Sequence, residues 1–195
     1  MFLVAAILLA SPHVQAQTYD AAWWGNLTAE ERTKFYSGVI DCYIVEAHGK
    51  TYSDGPIESV VQAISTYYQR HPEASRRSVL DVTLEVSTSD TSPHLAGERH
   101  RDPGAEYWDE PHGYFDGEYW RQSVDPERQA FVRGYLACRA KYLHSTTDVS
   151  IAVIVSKISK WYGVKDDDPS EIDDRHANDK IGDLLDRIVN EKHRR

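Results

Sequence analysis

Long hydrophobic runs are scarce in this chain, and so are cysteine and, relative to acidic residues, basic ones. Beyond the N-terminus no stretch approaches the roughly 18 to 20 apolar residues that cross a bilayer, which excludes an ordinary membrane-spanning helix there. Only two of the 195 residues are cysteine, so no disulfide scaffold holds the fold and a hydrophobic core must carry it. Lys and Arg number 22 against 31 Asp and Glu, for a formal net charge of -9. Such a balance repels the phosphates of nucleic acid and anionic membranes and favours a basic partner surface. No GxSxG, HExxH, CxxC, P-loop or dinucleotide glycine pattern occurs, so the chain carries no recognisable catalytic motif and no cofactor signature.

What is present begins with Met1-Phe-Leu-Val-Ala-Ala-Ile-Leu-Leu-Ala10, a short apolar run, followed by Val14-Gln15-Ala16 with small residues where signal peptidase reads them. This pattern predicts a signal peptide over residues 1–16, cleavage after Ala16 and a periplasmic or secreted destination. The dense acidic stretches, Asp166 to Asp168 and Asp173-Asp174, read as solvated surface, since they lack the alternation and glycine of a calcium loop.

An internal repeat organises the remainder. Trp24 to Cys42 lies over Trp120 to Cys138 without a gap, pairing Trp24/Trp120, Glu31/Glu127, Arg32/Arg128, Phe35/Phe131, Gly38/Gly134 and Cys42/Cys138 at an offset of 96. After a two-residue deletion, Ile57, Val60, Val61, Ile64, Tyr67 and Tyr68 fall over Ile151, Ile154, Val155, Ile158, Trp161 and Tyr162. Both sets form one stripe of an amphipathic helix. Thr28 with Glu31 makes a capping-box pattern, Asp125-Pro126 opens the equivalent helix, and Asp54 and Asp148 stand where they predict N-caps for the second helix. Glycine inside a helix costs about 1 kcal/mol against alanine, so its presence in both copies predicts a backbone passing close to Gly38 and Gly134.

A third helix is expected to close each unit, over roughly Ser75 to Val86 and Asn178 to Lys192. The alternation in Val82-Thr83-Leu84-Glu85-Val86 leaves an extended end open for the first of these. The expectation is an all-α fold of two helical units, 17–86 and 119–195, joined by a Pro- and Gly-rich linker at 87–118.

Aromatic residues mark the candidate binding surface: Tyr107, Trp108, Tyr114 and Phe115, whose apolar area is unusual in a solvated linker, and the paired Trp24 and Trp120, which read either as sugar-stacking rings or as packing anchors. His94, His100 and His112, with Glu98, Asp109 and Glu110, offer metal donors in a spacing that matches no closed site, and they read as polar loop residues with no metal assigned. Glu31 and Glu127 read as helix caps more readily than as a carboxylate pair for acid-base chemistry. Cys42 and Cys138 share one repeat position on the apolar face, which predicts burial of both; a disulfide between them and two inert buried thiols remain alternatives.

Gly38-Val39-Ile40-Asp41, then Tyr67-Tyr68-Gln69-Arg70-His71-Pro72-Glu73, then Ser78-Val79-Leu80 resemble the small periplasmic helical domains of type VI secretion immunity proteins, over about Phe35 to Val86. The resemblance implies a helical periplasmic fold and a role in neutralising a partner protein. The leading expectation is a non-enzymatic exported interaction protein of immunity or inhibitor type, with a groove between the units and the linker as its surface. Two rivals remain: an acid-stress or holdase protein, because protonating nine histidines moves the net charge from -9 towards 0, and a metal-dependent hydrolase using the linker histidines.

Overall fold

The computed structural model describes residues 19–46, 56–88, 115–164 and 176–190. Among them are eight α-helices and no strand: α1 (Ala21–Gly25), α2 (Ala29–Glu46), α3 (Ile57–Arg70), α4 (Val79–Thr88), α5 (Gly117–Arg121), α6 (Asp125–Tyr142), α7 (Ile151–Trp161) and α8 (Ile181–Asn190). The fold is all-α, and no described helix is long and apolar enough to cross a membrane.

The central pair is α2 and α6. A Cβ added to Gly38 would strike the carbonyl oxygen of Phe131, and one added to Gly134 would strike that of Phe35. Two helix backbones therefore touch where the sequence predicts close approach, each glycine lying in the other helix's groove. Phe35 lies beside Gly134, Gly38 beside Phe131 and Tyr135, and Cys42 beside Cys138, so the helices run parallel. The cysteines, both buried, are disulfide-bonded, with their Cα atoms 6.2 Å apart.

The outer helices bury the stripes the spacing predicts. α3 turns Val60, Val61 and Ile64 inward, and α7 turns Ile154, Val155 and Ile158. The last element of the first half is helical to its end: Val79, Val82, Thr83 and Val86, all buried, follow helical spacing, so the apparent alternation at 82–86 is one face of α4 seen edge-on. It starts at Val79, later than Ser75, because a 3-10 turn at Pro72–Ala74 intervenes. The cap of α7 is Ser150, whose side chain accepts from the Val153 N–H, in place of Asp148; Asp54 lies outside the described residues. Only a residue at the helix boundary itself reaches the free N–H groups of the first turn, and Asp148 stands two residues too early.

Candidate functional site

Two short helices absent from the sequence reading set the frame. Asp20 caps α1 by accepting from the Trp23 N–H at 3.0 Å, and Asp116 caps α5 by accepting from the Glu118 and Tyr119 N–H groups. Each positions a tryptophan whose Nε1 donates across to a serine at 3.0 Å, Trp24 to Ser65 of α3 and Trp120 to Ser159 of α7. The tryptophan carbonyls are bound in turn by Arg32 Nε at 2.9 Å and Arg128 Nε at 3.2 Å. Burial lowers the Arg128 pKa, with Asp125 opposing.

Of the two readings of Trp24 and Trp120, sugar-stacking ring or packing anchor, their geometry fits the packing anchor. They are 2% and 1% exposed, with their single polar atom satisfied, so neither presents a face to a ligand. Phe115 is also buried, against Phe131, with its N–H directed to Asp41 Oδ1. Tyr107, Trp108 and Tyr114, with His94, His100, His112, Glu98, Asp109 and Glu110, lie outside the described residues.

Glu31 and Glu127 act as caps. Glu31 accepts from the Thr28 N–H at 2.8 Å while Thr28 Oγ1 accepts from the Glu31 N–H at 3.1 Å, a complete capping box. Glu127 accepts from the Val124 N–H at 3.3 Å, and valine supplies no oxygen for the return bond.

An open groove of about 260 Å³ lies at the N-terminal end of the central pair. Trp23 and Leu27, in and just after α1, form one wall with Glu31 of α2. Pro126, Gln129, Ala130 and Arg133 of α6 form the other. The ring of Trp23 is fixed from behind by Tyr19 and Phe35, with centroids at 4.6 and 4.9 Å. Arg133 donates to the Tyr19 hydroxyl, whose pKa burial raises against that guanidinium.

The position 96 residues along is filled. Tyr119 stands for Trp23 there, Glu127 for Glu31, Lys34 for Ala130 and Ser37 for Arg133. Lys34 Nζ sits 3.5 Å from the Tyr119 ring centroid, and the Tyr119 hydroxyl donates to Ser37 Oγ at 2.7 Å. Burial lowers the Lys34 pKa, opposed by the Glu127 carboxylate and aided by Arg128. A lysine therefore fills one side of the central pair, while alanine at the equivalent position leaves the other side open.

None of the groove-lining residues was singled out in the sequence as a ligand contact; Glu31 alone was considered there, as a helix cap or one of a carboxylate pair. The signal for the frame was present in Tyr19-Asp20-Ala21-Ala22-Trp23-Trp24 against Phe115-Asp116-Gly117-Glu118-Tyr119-Trp120, which extends the repeat five residues upstream of Trp24. Among the described residues no group of three or more His, Cys, Asp or Glu side chains is arranged to hold a metal ion. Set against protein-family models, curated proteins and solved structures, the chain matches none.

Proposed function

We propose that the protein is an exported interaction protein that binds a partner protein through the groove between Trp23 and α6, with an immunity or inhibitor role as the sharpest form of that reading. The observation that carries it is the groove itself: an aromatic ring, flanked by Leu27 and Pro126 and bordered by charged and amide groups, stands open where the equivalent site is filled. Apolar floor with a polar rim is the anatomy of a protein-binding hot spot. The buried disulfide agrees with an oxidising destination, and the net charge of -9 suits a basic partner.

The test is capture from a periplasmic extract by the full chain expressed with its leader, followed by mass spectrometry, beside the variant Leu27→Arg, which puts a bulky charge on the groove wall. A protein retained by the unaltered chain and lost by Leu27→Arg is the expected result. Equal retention by both would overturn the groove as the binding surface.

A further inference from the structure

We infer that the Trp23 groove is a receptor for a lysine side chain presented by a basic partner protein; the inference rests on the partner-binding reading above and names the chemistry of the contact. The molecule contains its own template. In the filled site the Lys34 ammonium lies over the face of Tyr119, 3.5 Å from the ring centroid, with the Glu127 carboxylate acting on it. An aromatic face attracts a cation through its quadrupole, and a neighbouring carboxylate adds Coulomb attraction.

The open groove repeats those parts. Trp23, a stronger cation acceptor than tyrosine, replaces Tyr119, and Glu31 replaces Glu127. What it lacks is the amine, because Ala130 stands where the template has Lys34. A volume of about 260 Å³ admits one long side chain. Arg133 also lines the groove; its hydrogen bond to the Tyr19 hydroxyl directs the guanidinium without removing its charge, and the template holds its own lysine beside the charge of Arg128. The carboxylate of Glu31 borders the groove, and the chain's charge of -9 draws basic surfaces toward it. Gln129 supplies an amide at the same wall for the backbone of an incoming segment.

The experiment titrates an acetylated, amidated tetralysine peptide into the oxidised chain and follows the indole N–H resonance of Trp23 by NMR. The expected result is a saturable shift of that resonance, absent in Ala130→Lys, whose own lysine fills the groove, and weakened at least about fivefold in Glu31→Gln, which keeps a cap acceptor but loses the charge. Circular dichroism establishes that each variant folds. An unmoved Trp23 resonance overturns the inference, and so does undiminished affinity in Glu31→Gln, a comparison that stands even if Ala130→Lys fails to fold. Capture of a periplasmic protein without any tetralysine shift overturns the lysine assignment and leaves the partner-binding reading standing; a tetralysine shift without a captured protein supports the assignment and counts against that reading.

Discussion

The Tyr119 site and the Trp23 groove are built on the same frame: a carboxylate-capped short helix, an aromatic ring one position before a buried tryptophan, and a glutamate in the first turn of a central helix. They differ where the opposite central helix contributes its side chains, Lys34 and Ser37 in one, Ala130 and Arg133 in the other. One pair closes its site with an amine and a hydroxyl; the other recruits its cation to the Tyr19 hydroxyl and leaves space. The buried tryptophan is seated alike in both halves, while the surface beside it is occupied in one and open in the other. The open space follows from the smaller side chain at one position, Ala130 against Lys34, although Trp23 and Arg133 are each larger than their counterparts Tyr119 and Ser37.

The comparison depends on the central pair staying together, and the largest effect comes from breaking it. Replacing both Cys42 and Cys138 by alanine removes a cross-link spanning 96 residues. It is expected to lower stability by about 4 to 5 kcal/mol in the chain-entropy model, read as the loss in urea-unfolding free energy. An unchanged midpoint would mean that the reciprocal glycine contact alone holds the helices in register.

A smaller effect sharpens the comparison directly. Lys34→Ala makes the filled site resemble the open one, and the loss of the ammonium from the Tyr119 face is expected to cost about 1 kcal/mol by urea unfolding. If the cost is nil, Lys34 is a bystander on the ring and the template argument loses its basis.

The smallest effect is expected from acid. The Glu85 carboxyl is held below the usual range chiefly by the Arg77 hydrogen bond, and Glu118 by that of Arg121. In Glu73 a backbone hydrogen bond leads, with His71 adding to it; in Asp81 burial pushes up but hydrogen bonds from Lys141 and Ser78 outweigh it. A carboxyl with a depressed folded-state pKa contributes stability that is present above its unfolded value and is lost as pH falls through the folded one. The loss therefore develops only as pH falls below about 5, and it falls on both halves, through Glu85 and Glu118. Dye binding to apolar surface is expected to be the same at pH 5 as at pH 7. A rise by pH 5 would favour the acid-activated holdase reading over a groove that works at neutral pH.

Much of the fold was legible because its information is periodic and local. The α3 and α7 stripes and the Thr28–Glu31 box each follow from residues within a few turns of one another, and the paired glycines from the repeat at an offset of 96. Short helices were not: α1 and α5 are five residues each, too brief for an amphipathic period, and they exist by virtue of Asp20 and Asp116 caps and the tryptophans they seat. The alternation at 82–86 misleads because a five-residue window satisfies strand and helix spacing alike; adding Val79 resolves it. The groove was least legible. Its walls come from segments about 100 residues apart, and its defining feature is a difference between repeat positions, Ala130 against Lys34, whereas a repeat is recognised by its identities.

The parallel central pair also sets the order in which the chain can fold. The inward face of α2, with Phe35, Val39 and Cys42 fully buried, finds its main cover in α6, whose contacting residues are synthesised about 96 positions later. Local turns and the α3–α4 packing can form early, since they ask little loop closure of the chain. The helix that organises the molecule has only partial cover, from the Tyr19, Trp23 and Trp24 rings and from α3, until the second half arrives. Folding is consequently governed by one long-range encounter and proceeds more slowly than the helix content alone implies, and the first half passes through a stage in which that partly covered side is a target for chaperones or for misplaced pairing with another copy.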